Sequence, residues 1–420
     1  MPPASPSTAR AINDRLALRL LQQEGPLTAA RLKELTGLSR PTVADLVERL
    51  AEAGLIAVVG ETGERRRGPN ARVYGIVADR VHLAALDVRT GGVSVLVSDL
   101  LGRVVAEASV PVDGTGDTGP AVERTVALVE RLAKEAGAER LHTVGIGVPG
   151  LIDPATGELR DSTGLPAWHP RLVAALQERL PDTRLIVENE TNVAALAEQR
   201  EGAARDRDTF VLLWLGHGTG AAVVLDGALR RGVSGGTGEI GFLPVPGTAG
   251  LPSATDCEGG FHSLAGAAAV LALAARHGLP APADGLDAAG SAADAVRAAV
   301  DAVEGAGGAD GDGTGTPRGP VPAERAAAAA GFLDELADRL TLAAAAVVAV
   351  LDPGCVVLAG EVGQAGGAVL AARVERRLRR MSPLATQVRA GVLGGAAVLR
   401  GALLTVRDRA QDEVFRAAAN

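Results

Sequence analysis

Length, charge and cysteine content limit the classes of protein to which this chain can belong. Its 420 residues exceed what one ordinary core accommodates, so two or three folding units are expected. A net charge of -8 argues against a protein that coats nucleic acid along its whole length. Two cysteines, Cys257 and Cys355, provide neither a disulfide framework nor a four-cysteine zinc site, and they fit a reducing cytoplasm.

The charge is unevenly distributed along the chain. Residues 1–75 carry 11 Lys and Arg against 8 Asp and Glu, a net +3, which leaves -11 for the remainder. The first residues lack the apolar core of a signal peptide, and the longest apolar run, 340–351, is shorter than the roughly 18 residues of a membrane span. We therefore expect a cytoplasmic protein with no membrane segment and a basic N-terminal unit.

Residues 12–54 predict three short helices, because apolar residues repeat at intervals of three and four between turn signals. The first carries Leu16, Leu20 and Leu21. Thr28 and Ser39 are placed to cap the second and third helices. Gly37 is placed to end the second.

The third of these helices is the candidate for DNA recognition. Its predicted buried stripe consists of Val43, Leu46, Val47 and Leu50. The opposite side carries Thr42, Asp45 and Arg49, with Arg40 at the helix start. A helix of this size fits the major groove with its N-terminal side chains toward the base edges. Arg40, Thr42 and Asp45 are therefore the predicted groove contacts, and a unit that only mediates protein contacts is the alternative.

An arginine-rich hairpin is predicted after the third helix, with a turn near residue 63 and a return strand that reaches residue 76. Its arginines are Arg65, Arg66, Arg67 and Arg72. Phosphates or a narrow minor groove are the expected partners of such a cluster, and a solvated charge cluster is the alternative. Residues 1–77 are thus predicted to form a winged helix-turn-helix DNA-binding domain.

The chain changes character at about residue 81. Short apolar runs there alternate with helical stretches rich in Ala, Leu, Glu and Arg, which predicts an α/β architecture with mixed sheets over residues 78–420. Residues 305–322 are rich in Gly, Asp, Pro and Thr, and we expect a flexible surface insertion there.

Five motifs of this body follow one another in the order typical of a known family. They occupy residues 145–159, 164–168, 187–198, 216–242 and 351–361. With them the chain resembles the ROK family (repressors, open reading frames and sugar kinases), in its regulator branch. The resemblance implies a winged helix-turn-helix followed by a two-lobed, actin-like (ribonuclease H-like) ATPase fold with a sugar cleft between the lobes.

The first phosphate-binding turn departs from the family's pattern. Kinases of the family have Asp-x-Gly-Gly-Thr there, whereas this chain has Asp87-Val88-Arg89-Thr90-Gly91. Because a phosphate cradle needs glycines where the backbone approaches oxygen atoms, Arg89 and Thr90 are expected to obstruct it. An arginine that binds phosphate directly is the alternative.

Two further departures concern catalysis and metal binding. The resemblance places the catalytic aspartate of the family's Asn-Asp pair at Glu190, whose extra methylene displaces the carboxylate, so we expect sugar binding to survive better than turnover. Phe242 stands where many relatives have a zinc-binding His, and only Cys257 of a three-cysteine cluster remains. His262 nearby is more simply a packing residue, so neither zinc nor another cofactor is expected.

The resemblance implies that Asn189, Glu190 and Glu239 hold sugar hydroxyls, and it transfers less directly to Glu258, because a residue is missing between Cys257 and that acid. We predict a sugar-responsive transcriptional regulator, foremost a repressor, with no catalytic residue. It would bind a double-stranded DNA operator as a homodimer or homotetramer. The alternatives are an active ATP-dependent sugar kinase with a DNA-binding module, and a regulator controlled by a docked protein.

Overall fold

The computed structural model describes residues 6–62, 71–89, 91–112, 118–160, 168–253, 255–280, 287–307 and 322–417. The N-terminal unit consists of α1 (Pro6–Glu24), β1 (Leu27–Thr28), α2 (Ala29–Thr36), α3 (Arg40–Glu52), β2 (Ile56–Thr62) and β3 (Ala71–Ile76). Its strands form a three-stranded sheet in the order β1-β3-β2. The described part of residues 1–77 is therefore a three-helix unit with a β-hairpin wing, as predicted.

The predicted helix caps of this unit are confirmed. The hydroxyl of Thr28 accepts a hydrogen bond from the amide of Arg31, and Ser39 does the same for Thr42. Gly37 ends α2 in the left-handed conformation, at φ 70°. The predicted stripe of α3 is buried throughout.

The first helix differs from the prediction. It begins at Pro6 rather than near residue 12, and Leu16 is 38% exposed. The side chains that face the core are Ala17, Leu18 and Leu21. Spacing alone admitted two faces for this helix, and packing against the rest of the molecule selects the one with Leu18.

Lobe 1 contains β4 (His82–Arg89), β5 (Gly92–Asp99), β6 (Val104–Pro111), α4 (Thr118–Glu135), β7 (Leu141–Val148), α5 (Trp168–Arg179), β8 (Arg184–Asn189) and α6 (Glu190–Glu201). The sheet order is β6-β5-β4-β7-β8. Strands β4, β5 and β6 pair antiparallel, whereas β4, β7 and β8 run parallel. The mixed sheet predicted from the sequence is thus confirmed.

Lobe 2 contains β9 (Phe210–Leu215), β10 (Thr219–Leu225), β11 (Ala228–Arg230), α7 (His262–Ala265), α8 (Ala267–Arg276), α9 (Ala288–Gly307), α10 (Ala323–Leu351), β12 (Cys355–Ala359), α11 (Gly360–Met381) and β13 (Gln387–Ala390). Its sheet order is β11-β10-β9-β12-β13. The predicted insertion at 305–322 begins inside the last turn of α9, because that helix continues to Gly307. Residues 308–321 lie outside the described part of the chain.

The last helix, α12 (Ala397–Ala417), returns to lobe 1 and packs against α6, β4 and β7. It also contacts α1 of the N-terminal unit. Leu18 of α1, Leu83 of β4 and Phe415 of α12 belong to one buried apolar cluster. The N-terminal unit and lobe 1 therefore share a core.

The connection between these two units is short and hydrogen-bonded on both sides. A single 3-10 turn, Ala78–Arg80, separates β3 from β4. The amide of Val77 donates to the carbonyl of Leu55 at 2.9 Å, and the amide of Leu100 donates to the carbonyl of Ala78 at 3.0 Å. The boundary predicted after residue 77 falls at the start of this turn.

Within the described residues, no helix is both long and apolar enough to span a membrane.

Candidate functional site

The exposed start of α3 carries the first set of predicted site residues. Arg40 is exposed and forms no ion pair with another described residue. The Thr42 hydroxyl lies 2.8 Å from the hydroxyl of Ser39, so it is shared with the helix cap. The Asp45 carboxylate, 61% exposed, is paired with Arg49. Of the three predicted groove contacts, Arg40 alone presents a charge that no described residue neutralises.

A buried ion pair fixes the orientation of α3. Asp14 of α1 is 3% exposed, and its carboxylate accepts a hydrogen bond of 2.6 Å from the Arg49 guanidinium. The pKa of Arg49 is raised, chiefly by its hydrogen bond to Asp14. Arg49, which the sequence placed on the side of α3 opposite the core, thus links α3 to α1.

The wing carries the remaining predicted DNA contacts. Arg72 lies on β3 opposite Glu61 of β2, and its side chain is exposed. Arg65, Arg66 and Arg67 lie outside the described residues. The structure therefore places only the base of the wing beside α3, and the role of its arginines stays a prediction.

A cavity of about 170 Å³ lies between the two lobes of the body. Lobe 1 contributes the end of β4 and the start of α6 to its wall. Lobe 2 contributes the β9–β10 turn and the starts of α9 and α11. The lining side chains and glycine are Asp87, Arg89, Pro149, Glu190, Trp214, His217, Gly218, Asp287, Ala289, Glu361 and Val398.

Arg89 connects the two lobes across this cavity. Its guanidinium donates to the Asp87 carboxylate at 2.9 Å and forms an ion pair with Glu361 of α11. It also donates to the carbonyl of Gly395, at 3.2 Å, just before α12. Burial alone would lower the pKa of Arg89, but the carboxylates of Asp87 and Glu361 raise it. The Arg89 guanidinium thus lies in the cavity wall with its charge neutralised by these neighbours, and its obstruction of the first phosphate turn stays a prediction; Thr90 lies outside the described residues.

The Glu361 carboxylate packs against the second glycine-rich turn of the cavity. A Cβ atom placed on Gly216 would lie 2.5 Å from Glu361 Oε2. The amide of Gly216 is itself used within the turn, where it donates to the carbonyl of Gly218 at 3.0 Å. An acidic side chain therefore packs directly against the buried Gly216 backbone of this turn.

Two buried carboxylates in the cavity wall have an oxygen atom without a hydrogen-bond partner among the described residues. These atoms are Asp87 Oδ1 and Glu190 Oε2. Burial raises the pKa of Asp87 despite the opposing charge of Arg89. Burial, together with the negative charge of Asp87, raises the pKa of Glu190 to about 8. Both groups can accept hydrogen bonds from a ligand's hydroxyls, and a protonated Glu190 can also donate one.

The other predicted sugar contacts lie outside the cavity lining. The Asn189 side chain caps α6, where its Oδ1 accepts from the amides of Thr191 and Asn192 at 2.9 and 3.3 Å, and its Nδ2 donates to Gly150. Glu239 keeps solvent access, although the surrounding protein raises its pKa by desolvation. Glu258 is exposed. The structure thus brings Glu190 to the cavity and gives Asn189 a capping role.

Several cavity residues were not singled out from the sequence. Glu361 ends the motif at residues 351–361 but was given no role, and Asp287 lies in none of the five motifs, because the roles of both depend on contacts with distant segments. Trp214, which the sequence did not assign as a stacking platform, is 6% exposed and lines the cavity.

The residues considered for zinc form no metal-binding group in the described part of the chain. No cluster of three or more His, Cys, Asp or Glu side chains with suitable geometry occurs there. Phe242 is 37% exposed. Burial lowers the pKa of His262 and raises that of Cys257.

Comparison with known proteins agrees with this architecture. Residues 85–304 match the model of the ROK family, and residues 10–57 match that of winged helix-turn-helix DNA-binding domains. Since the first match covers half of the chain, the chain belongs to the ROK family.

Two curated relatives are regulators. The DNA-binding transcriptional dual regulator NagC of Escherichia coli K12 is 29% identical over 249 residues, which cover 56% of this chain and 57% of NagC. The xylose repressor of Bacillus subtilis strain 168 is 26% identical over 250 residues, or 58% of this chain and 62% of the repressor. The matched part of the chain thus spans less than two thirds of these relatives.

Two solved structures share the fold. A ROK family transcriptional regulator, described as a homologue of the Escherichia coli MLC protein, superposes with a TM-score of 0.71 at 21% identity and covers 98% of this chain and 99% of its own. The ROK hexokinase from Thermus thermophilus superposes with a TM-score of 0.58 at 26% identity, over 79% of this chain and all of its own. The regulator matches the N-terminal unit as well as the two lobes.

Proposed function

We propose that this protein is a ligand-controlled transcriptional regulator, foremost a repressor, that binds a DNA operator through α3 and the wing and a sugar or sugar derivative in the interlobe cavity. The observation that carries the proposal is the course of α12. Its first turn lines the cavity at Val398, and its later part shares a core with α1 of the DNA-binding unit.

Helix α12 offers a direct mechanical route between the two sites. At 1.5 Å per residue its 21 residues extend over about 30 Å. Gly395, just before its start, accepts a hydrogen bond from Arg89 in the cavity. A ligand that changes the separation of the lobes would move this end of α12 and, through the shared core, the DNA-binding unit. Such control requires that the ligand bind one lobe arrangement better than the other.

The cavity suits a small polar ligand. Pockets for drug-sized ligands measure roughly 300–1,000 Å³, so a cavity of about 170 Å³ favours a single sugar ring over a nucleoside triphosphate. The oxygens of Asp87 and Glu190 can accept hydrogen bonds from hydroxyls, and the Trp214 ring offers an apolar face.

Neither a metal nor a cofactor has a part in this proposal. We expect a homodimer or homotetramer, because such an assembly would read two half-sites of an operator.

The names of the relatives support the same role. NagC is a DNA-binding transcriptional regulator, and the Bacillus subtilis protein is a xylose repressor. Both control transcription, and the second is named for a sugar. We carry the class of effector to this chain, and not the particular sugar.

The test combines ligand binding with DNA binding on the full chain. Operator fragments would be selected in vitro from a random double-stranded library. Thermal shifts would then be measured against a panel of neutral sugars, sugar phosphates and ATP. A sugar that raises the melting temperature and changes the affinity for the selected DNA by at least about fivefold, the usual lower range of allosteric coupling, is the expected result. Sequence-specific DNA binding that no sugar alters would favour control by a docked protein instead.

A sugar kinase is the second candidate, because the cavity retains carboxylates at Asp87 and Glu190. Arg89 obstructs its first phosphate turn, and the Glu361 carboxylate lies against the second. We therefore expect no sugar-dependent formation of ADP above background. Turnover at an ordinary kinase rate of about 1 to 100 per second would establish the kinase.

A further inference from the structure

The charges that line the cavity are arranged against anions. Four carboxylates line it, those of Asp87, Glu190, Asp287 and Glu361. Arg89 is the one Arg or Lys among the lining residues that the structure describes. Its guanidinium is already engaged by Asp87, Glu361 and the carbonyl of Gly395. Among the lining residues that the structure describes, a phosphate group would therefore find no Arg or Lys side chain free of carboxylate contacts.

One amide of the cavity's glycine-rich turn is also unavailable to phosphate. Glycine-rich turns bind phosphate when their amides are free and oxygen atoms can come close. In the turn between β9 and β10 the Gly216 amide donates within the turn, and Glu361 Oε2 packs against the Gly216 backbone. A carboxylate of the same charge sign as phosphate thus lies against this turn.

The unpartnered atoms point to a different ligand chemistry. Asp87 is 4% exposed, and its Oδ1 has no hydrogen-bond partner among the described residues. Glu190 Oε2 also has no partner there, and the carboxyl group of Glu190 can accept a hydrogen bond or, when protonated, donate one; a hydroxyl can serve in both ways. Buried acceptors require donors, and a hydroxyl supplies one, whereas a phosphate dianion supplies only acceptors.

We propose that the ion pair between Arg89 and Glu361 makes this cavity selective for uncharged, hydroxyl-bearing ligands and closes it to phosphate groups, with Glu361 as the residue that determines this specificity. The inference rests on the proposed function in taking the cavity as the effector site. It names the effector as an unphosphorylated sugar.

The test is calorimetric titration of the full chain with inorganic triphosphate, which carries phosphate groups and no sugar. The unmodified protein is expected to show no saturable binding. Glu361→Gln removes the charge, keeps the size of the side chain and frees the Arg89 nitrogen that Glu361 engages, while the contacts of Arg89 with Asp87 and Gly395 remain. Because charge-assisted contacts to phosphate are strong, we expect an affinity gain of at least about tenfold.

A double variant separates the released charge from a mere widening of the cavity. Arg89→Gln combined with Glu361→Gln has no cation to offer, so the gain should disappear. Glu335→Gln is the matched control, because Glu335 pairs with Arg276 and Arg339 on lobe 2 but does not line the cavity. Saturable binding of triphosphate by the unmodified protein would overturn the proposal. So would a folded Glu361→Gln variant that gains none, or a double variant that keeps the gain.

A second measurement needs no variant and separates this inference from the proposed function. The unmodified protein is titrated with neutral monosaccharides and their 6-phosphates in matched pairs, with DNA affinity measured for each. Binding of the neutral member alone supports the inference. If the phosphorylated member binds equally well or better and alters DNA affinity, the inference fails while the regulator stands. If triphosphate is excluded and no sugar of either kind binds, the exclusion stands while the sugar-responsive function fails.

Discussion

The DNA-binding unit and the interlobe cavity differ in whether an arginine is left exposed or is neutralised by neighbouring carboxylates. At the start of α3 the Arg40 guanidinium is exposed and forms no ion pair with another described residue. In the cavity the Arg89 guanidinium contacts two carboxylates and a carbonyl. The first arrangement attracts phosphate, whereas the second excludes it.

Because of this difference, DNA and a small-molecule effector would be bound by different kinds of side chain, and neither ligand would bind at the other's site. DNA is recognised through its phosphates and base edges. A hydroxyl-bearing effector would be recognised through the acceptors of Asp87 and Glu190. Communication between the sites must then pass through the protein, and α12 together with the short turn at Ala78–Arg80 provides the contacts for it.

The largest loss of stability at neutral pH is expected at Arg49 of the DNA-binding unit, whose guanidinium, like that of Arg89, contacts two carboxylates. Arg49→Ala leaves the buried Asp14 carboxylate without its partner. Because Arg49 is itself 29% exposed, we expect a loss of about 2 to 3 kcal/mol, below the usual cost of breaking a fully buried pair. Chemical denaturation, with hydrogen exchange of α3, measures it.

The control for this prediction is Arg31→Ala, because Arg31 pairs with Glu34 on the surface of α2. Exposed pairs contribute at most about 1 kcal/mol. Equal losses in the two variants would show that the Asp14 pair does not hold α3 in place.

The second prediction concerns the excess of carboxylates in the cavity. The pKa of Glu190 in the folded protein is about 8, against an ordinary value of 4.5. Between these values the folded state binds more protons than the unfolded state, so the free energy of unfolding falls as pH rises toward and through 8. Glu190→Gln removes this dependence, and we expect the two proteins to differ by about 4 kcal/mol in the loss between pH 5 and pH 9.

The measurement is denaturant unfolding at a series of pH values. The exposed Glu178 on α5 supplies the control, since Glu178→Gln should retain the pH dependence of the unmodified protein. Parallel curves for the Glu190→Gln variant and the unmodified protein would show that Glu190 titrates normally. The facing groups whose charges enter this balance are Asp87, Arg89, Glu361 and Glu239.

The third prediction tests the unpaired charge at the start of α3. Arg40→Ala should weaken binding to the selected DNA by about tenfold. If Arg40 contacts a phosphate, the slope of the logarithm of the binding constant against the logarithm of the salt concentration should also decrease in magnitude by about one. The change is smaller than that at Arg49, because no buried group loses its partner. Fluorescence anisotropy at several salt concentrations measures both quantities.

Arg124→Ala is the matched control for Arg40. Arg124 is also exposed and forms no ion pair with another described residue, but it lies on α4 of lobe 1. If both substitutions weakened DNA binding equally, the DNA would not be read by α3.

Interactions between residues close together in the sequence could be predicted, whereas interactions between residues far apart in the sequence could not. The caps at Thr28 and Ser39 depend on residues three positions away, and they were predicted correctly. The sequence also marked Arg89 as a long side chain at a glycine position of the first phosphate turn, and the structure places that side chain in the cavity wall. The partner that neutralises Arg89, Glu361, lies 272 residues further along, and only the assembly of both lobes brings the two together.

The same argument applies to residues with a role that the sequence did not reveal. The cap that Asn189 forms at the junction of β8 and α6 was not predicted, and its predicted contact with a sugar stays a prediction. Asp14 carried no signal, because a lone acid in an amphipathic helix is usually solvated. Its partner Arg49 is 35 residues away, and burial of the pair follows from the packing of α1 on α3.

The smallest effect on stability is expected at the turn that joins the two regions, where Arg80 donates a hydrogen bond to the Ala53 carbonyl of the DNA-binding unit. Arg80→Ala should cost only about 0.5 to 1 kcal/mol, the net worth of one exposed hydrogen bond. DNA affinity without sugar should stay nearly unchanged, because Arg80 lies away from α3's exposed start. The sugar-induced change in DNA affinity should fall about two- to threefold. Loss of a contact between two sites typically changes the free energy that couples them by roughly 0.5 kcal/mol or more.

Arg103→Ala distinguishes a role in coupling from a general effect of losing a surface arginine. Arg103 pairs with Asp99 on the neighbouring β5–β6 turn, is 79% exposed and belongs to lobe 1 alone. It should leave the response to sugar intact. An unchanged response in the Arg80→Ala variant would place the communication between cavity and DNA in α12 and the shared core, because the turn would then serve only as a tether.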